Sequence, residues 1–254
     1  MSIETPAVPV GNGMHPIALV VISANNLAAS SAFYAELFGW QLQRMSPELT
    51  GVGLPAGPMA ALRSNVAAGF PGIVPYIGVP DVDAMLARLL AAGGTVERAT
   101  WSQPMVGKLA RFKDPSGTTY GLTDAVSPGG APHIPTPFGS NPKPPAGAMC
   151  TLEMYAAGGT AARFFGDLFG WGTLATMPQY TAFDAGAGVG GVFQAHTPSL
   201  PALAYIYVAD VAAKLAEIEA AGGERLGEPM RMTGYGCFGY FKDPSDTSMG
   251  LIGP

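Results

Sequence analysis

Hydrophobic and polar positions alternate along this chain in two rhythms. The stretch "HPIALVVIS" holds a nearly continuous β-branched run that reads as a strand, and the "NNLAASSAFYAELFGW" beyond it spaces its apolar residues at helical intervals. Asn26 stands where a helix N-cap belongs and Gly39 where a helix stops. Three short strand patterns come next, "WQLQRM", "TGVGLPAG" and "MAALRS", divided by proline and glycine turn signals. The order then restarts. "VPYIGV" predicts a strand, "DVDAMLARLLAAGG" a helix capped by Asp81 and stopped at Gly93-Gly94, and "TVERATW", "KLARFKD" and "TTYGLTD" three further strands.

This half is written twice. "RFKDPSGTTYGL", from Arg111, returns as "YFKDPSDTSMGL", from Tyr240, so that Asp114 aligns with Asp243 and Tyr76 with Tyr205, each pair 129 residues apart. "AFYAELFGW" (Ala32 to Trp40) returns as "RFFGDLFGW" (Arg163 to Trp171) 131 residues later, so a small indel separates the registers. Between them lies "SPGGAPHIPTPFGSNPKPPAG", whose prolines and glycines sustain neither helix nor central strand. The expected architecture is α+β: four βαβββ modules in tandem, forming a first domain over 14-126, a linker over 127-146 and a second domain over 147-254. A βαβββ sheet covered by its helix on one side leaves the other face bare, and two modules together enclose a cleft between curved mixed sheets.

Composition narrows the function. Of 254 residues, 48% are hydrophobic and 12% charged, which places the chain among core-forming globular proteins. The net charge is −5 and the basic residues are scattered, so no stripe tracks a phosphate backbone and nucleic acid is excluded as a partner. No apolar run approaches the roughly 20 residues that span a bilayer, and "MSIETPAVPVGNG" lacks the order of a secretory signal, so no membrane partner and a cytoplasmic location are expected. Cys150 and Cys237 have no CxxC spacing and read as free thiols. "GAGVGG" (Gly186 to Gly191) joins two strand patterns with no helix after it, so it reads as a hairpin and not a phosphate loop.

The repeated βαβββ order, the "LFGW" helix ends, the "DVDAMLARLLAAGG" helix and the "FKDPS" hairpins resemble the vicinal oxygen chelate superfamily of glyoxalase I, bleomycin- and fosfomycin-resistance proteins and extradiol dioxygenases. The resemblance covers Pro16 to Asp124 and Met149 to Gly253, and is closer still to tandem two-domain, glyoxalase-like members from actinobacteria. It implies a divalent metal held by His or Glu on the first strand of a module and by a Glu near the end of the last. Here the last strands read "DPSGTTYGL" and "DPSDTSMGL", with Gly121 and Gly250 at the Glu position. The first-strand positions fall near Leu19 and between Cys150 and Thr151, while the histidines are His15, His133 and His196, all away from them. No cofactor is therefore expected, the alternative being a displaced metal site that uses Glu153.

Strand alternation then selects the cleft residues. In "CTLEMY", Cys150, Leu152 and Met154 suit the helix-packed face, which leaves Thr151, Glu153 and Tyr155 inward; in "AYIYVAD", Tyr205 and Tyr207 face inward. Tyr240 and Ser248 complete the second cleft, and Tyr76 and Arg111 stand at the first. A partly buried Glu among phenols can have its pKa raised and act as general acid or base, so Glu153 is the catalytic candidate and the others are ligand-binding candidates. Met105, Met230 and Met232 border the cleft mouths as an adaptable apolar surface, and Trp40 and Trp171 read as core. Two functions fit: metal-free acid–base chemistry of lyase, isomerase or hydration type on a small oxygenated, apolar or aromatic molecule, or non-catalytic sequestration of a small molecule. A metal-dependent lyase or dioxygenase with displaced ligands is the third. The partner is a small-molecule ligand, and the chain is expected to be a monomer or homodimer.

Overall fold

The computed structural model describes residues 15–64, 72–104, 106–125, 143–156, 158–186, 189–195 and 202–254. His133, His196, Met105 and most of the expected linker lie outside them. The first half runs β1 (Ile17–Ser23), α1 (Leu27–Phe38), β2 (Gln41–Ser46), β3 (Leu49–Gly53), β4 (Met59–Arg63), β5 (Ile73–Gly78), α2 (Val82–Ala91), β6 (Thr95–Gln103), β7 (Gly107–Lys113) and β8 (Thr119–Thr123). The second runs β9 (Met149–Tyr155), α3 (Gly158–Phe169), β10 (Gly172–Met177), β11 (Tyr180–Asp184), β12 (Gly191–Gln194), β13 (Ala202–Tyr207), α4 (Val211–Ala220), β14 (Glu224–Arg225), β15 (Met230–Met232), β16 (Gly236–Lys242) and β17 (Ser248–Gly253).

The helix boundaries follow from local chemistry. The Asn26 side chain accepts a bond from the Ala29 amide, and Gly39 closes α1 in the left-handed conformation at φ 68°. Asp81 and Asp210 cap α2 and α4 in the same way, through the Ala84 and Ala213 amides. "ERLGEPMRM" departs from a single strand: Gly227 at φ 96° and Pro229, which has no amide to donate, divide it into β14 and β15 on the edge of β16.

In each half the two modules join edge to edge instead of facing one another as separate sheets. The strand order is β2-β3-β4-β1-β5-β8-β7-β6 in the first sheet and β10-β11-β12-β9-β13-β17-β16-β14 in the second, with β15 on β16. The joints β1/β5 and β9/β13 are antiparallel, while β1/β4 and β5/β8 are parallel, as are β9/β12 and β13/β17. Strands near opposite ends of one order, β3 and β6, line a single cavity, so the sheet curls into a cup.

The convex faces carry the helices and pack the halves together in one continuous apolar core. The packing is reciprocal. Phe33 and Phe38 of α1 meet Phe241 of β16, each with ring centroids 6.0 Å apart, and Phe164 and Phe169 of α3 meet Phe112 of β7 at 6.5 and 6.4 Å. Trp40 and Trp171 are core residues that also cross between halves. Trp40 Nε1 donates to the Gly147 carbonyl at 2.8 Å, and Trp171 Nε1 to the His15 carbonyl at 2.7 Å.

The two "KDPS" turns latch this interface. Asp114 Oδ1 accepts from the Ser116 and Thr118 amides and the Ser116 hydroxyl, and Thr118 Oγ1 reaches across to donate to the Tyr155 carbonyl at 2.7 Å. Asp243 Oδ1 accepts from the Ser245 and Thr247 amides, while its Oδ2 accepts from Ser30 Oγ of α1 at 2.8 Å and Thr247 Oγ1 donates to the Ser23 carbonyl at 2.7 Å. Both carboxyls are raised above the usual aspartate range, because burial outweighs the bonds that oppose it.

Candidate active site

With the helices on the convex faces, the concave faces are left to bind. In the second half, β9, β11, β12, β13, β15 and β16 bound a cavity of about 70 Å³. Its one carboxylate is Glu153, which is buried on β9 opposite Leu203 of β13 and Val192 of β12. The Tyr205 phenol donates to Glu153 Oε2, and the Tyr205 and Tyr240 hydroxyls lie 3.3 Å apart. Tyr180 enters from β11 and accepts a 2.6 Å bond from Gln194 Nε2, which leaves the Tyr180 proton available to the cavity. Met230, Met232 and Phe238 supply an apolar wall, and among the described residues no basic side chain lines the cavity.

The electrostatics hold every phenol here in its neutral, donating form. Burial is the main cause at Tyr205, Tyr240, Tyr180 and Tyr155, and raises each above 10; the Glu153 charge adds to it at all four. Thr151 lines the cavity, but its hydroxyl lies 3.4 Å from the Gly190 carbonyl, which it meets as donor. Tyr155 and Tyr207 belong to the same apolar cluster and stand outside the cavity lining, as does Ser248. Cys150 differs from simple alternation: a register shift between Tyr205 and Ile206 turns it toward Tyr205 on the concave side, where its Sγ meets the Tyr205 carbonyl at 3.5 Å. Burial pushes this thiol up to about 12, so it is inert.

The first cup has the same frame and different contents. Its cavity of about 150 Å³ places Leu19 opposite Tyr76, as Thr151 stands opposite Tyr205, and Val21 at the register position of Glu153. Arg63 and Trp101 line it, and Arg111 is held by Glu97 at 3.6 Å. Tyr76 is pushed up to about 12 by burial, against the pull of Arg111 and Arg63.

The repeated Gly-Leu ending now has a physical cause. Gly121 pairs with Tyr76 and Gly250 with Tyr205 on the adjacent parallel strand, and each tyrosine ring lies over its glycine. A Cβ at Gly121 would sit 2.0 Å from Tyr76 Cδ1, and one at Gly250 2.4 Å from Tyr205 Cδ1. The ring occupies the volume that a side chain at the strand end would need, while Leu122 and Leu251 point into the shared core. A carboxylate at either position would run into a phenol. Among the described residues no three His, Cys, Asp or Glu side chains converge, and the expected first-strand positions offer Leu19, Thr151 and the inert Cys150. These residues do not fit a divalent ion at this place.

A profile of the Glyoxalase/Bleomycin resistance protein/Dioxygenase superfamily matches residues 16–122 and 159–248. The chain belongs to this superfamily. It is 26% identical over 255 residues to the protein named "Putative glyoxylase CFP32" from Mycobacterium bovis and from Mycobacterium tuberculosis, covering 92% of this chain and 93% of the relative. Among solved structures, the Mn(II)-bound glyoxalase from Novosphingobium aromaticivorans aligns with a TM-score of 0.64 at 16% identity, over 95% of this chain and 82% of that one. The 2,3-dioxygenase LapB from Pseudomonas sp. KL28 aligns at 0.65 and 16%, over 96% and 93%. These likenesses establish the glyoxalase-like fold. This member keeps the fold with tyrosine rings over both glycines.

Proposed function

We propose that the second cleft performs metal-free proton transfer on a small, apolar or aromatic oxygenated molecule, in an isomerase or lyase reaction. The observation that carries this reading is the buried carboxylate Glu153 bonded to Tyr205, next to Tyr240, in an apolar cavity. Glu153 takes a proton from a carbon beside a carbonyl; the C–H electron pair becomes a C=C bond, and the carbonyl π pair moves onto oxygen. Tyr240 and Tyr180, neutral donors throughout the physiological range, hydrogen-bond the oxygen where that charge develops. Tyr205 positions the carboxylate. The proton then returns to a different carbon in an isomerisation, or a β-substituent leaves as the carbonyl re-forms.

The test is deuterium incorporation in D2O, followed by NMR, for a panel of cyclic enones, phenolic ketones and 2-hydroxy ketones. Exchange should be lost in Glu153→Gln while binding is retained, and should survive chelator treatment. Exchange that persists in Glu153→Gln, or that a chelator abolishes and Mn(II) restores, would overturn the proposal. A second reading, sequestration of a cationic aromatic compound, is favoured by the lack of any basic lining residue, and binding without exchange for every compound would select it.

A further inference from the structure

The cavity of the first half lies outside the proton-transfer proposal and is set in surroundings of the opposite charge. The register positions that carry Gln194 and Tyr240 in the second cup carry Arg63 and Arg111 here. The guanidinium carbon of Arg98 lies 3.9 Å from the centroid of the Trp101 ring, and Trp101 lines the cavity. Two carboxylates share the region, Glu97 at 3.6 Å from Arg111 and Glu48 on the rim. On the lining itself Arg63 and Glu48 balance, and the surplus of one positive charge comes from Arg98 and Arg111 set against Glu97 just beyond it. Burial lowers the Arg98 pKa first, and the nearby Arg63 and Arg111 charges lower it further, as expected where like charges crowd. Beneath this rim the floor is apolar, built from Leu19, Val21, Leu49, Ala61 and Leu109. An apolar cavity of about 150 Å³ is known to admit one benzene ring.

We infer that the first cup is a second, separate binding site, for a small aromatic monocarboxylate. Its ring lies on the apolar floor beside Trp101, and its carboxylate faces Arg63 and Arg111. Arginine suits this role because its fork matches a carboxylate in two hydrogen bonds. No chemistry is required of the site, and the inference stands whether or not the second cleft is catalytic.

Benzoate is the probe, read by quenching of tryptophan fluorescence. Trp40 and Trp171 are buried in the core, so Trp101 carries the response. Benzoate should quench saturably, and neutral benzamide should bind at least tenfold more weakly. Arg63→Gln should weaken benzoate about tenfold or more, the worth of a charge-assisted bond. Glu97→Gln should tighten it, an effect that a misfolded variant cannot mimic. Benzoate affinity retained in Glu153→Gln would place the probe in the first cup. Equal affinity for benzoate and benzamide, an Arg63→Gln variant that binds as wild type, weaker binding in Glu97→Gln, or loss of binding in Glu153→Gln would each overturn the inference.

Discussion

Replacing Gly250 by alanine tests the stacking of Tyr205 on the strand end. The new Cβ would meet Tyr205 Cδ1, Cε1 and Cγ at 2.4, 2.5 and 2.9 Å, where ordinary contact begins near 3.4 Å, so the ring must withdraw by about 1 Å. It has little room. Tyr205 is buried, with Phe238 edge-on at 6.1 Å and its hydroxyl bonded to Glu153. Overpacking of this kind costs about 1–3 kcal/mol, and a buried carboxylate that loses its donor costs about 1–3 kcal/mol more. A total near 2–6 kcal/mol corresponds to a fall in melting temperature of roughly 4–24 °C for a protein of this size. The assay is urea and thermal unfolding of Gly250→Ala, Tyr205→Ala and the double variant. With the ring gone, alanine at 250 has space and an ordinary φ, so its cost should vanish or turn into a gain of about 0.4–1 kcal/mol. An equal cost in both backgrounds would refute the stacking argument. Gly121 and Tyr76, with a closest approach of 2.0 Å, repeat the test in the other half.

Two further outcomes follow from the shared interface. Because both halves draw on one core and exchange tryptophan bonds, urea should unfold the protein in a single transition, and Trp40→Phe or Trp171→Phe should lower stability by about 1 kcal/mol for the lost bond; two separate transitions would contradict the shared core. The Asp114 carboxyl is raised in the folded state, so the folded protein holds that proton more tightly than the unfolded chain does. Its contribution is therefore fully present below the unfolded aspartate pKa, near 3.9, and is lost as pH rises through the raised value. The stability of wild type minus that of Asp114→Asn should accordingly be larger at pH 4 than at pH 7 in urea titrations, and a difference that grows with pH would refute the assignment.

Much of this molecule can be read from its residues, and the failures share one cause. Periodicity locates the elements, and Asn26, Asp81 and Gly39 mark helix ends because capping is a local bond. The glycines at 121 and 250 announce that no donor stands there, although the reason, a ring from the neighbouring strand, is a tertiary fact. Cys150 defeats alternation because a register shift in the β9/β13 pairing intervenes, and a count by twos does not survive an inserted residue. Tyr180 and Trp101 escape notice because they come from strands near the ends of each sheet and reach the cavities only through its curl, whereas Arg63 and Gln194 stand on β4 and β12, whose pairing with β1 and β9 is a tertiary fact. Their signal was present in the inward parity of β4, β6, β11 and β12, but parity alone does not say how far a sheet bends.

The ring over each glycine also constrains the order in which these two positions can change. A carboxylate arriving at position 250 collides with Tyr205, and a smaller residue arriving first at 205 opens a hole and strips Glu153 of its donor. Either first step weakens the fold before the second can repair it, and the same obstacle stands at Gly121 and Tyr76. Any route to a chelating strand end therefore passes through a less stable protein in both halves.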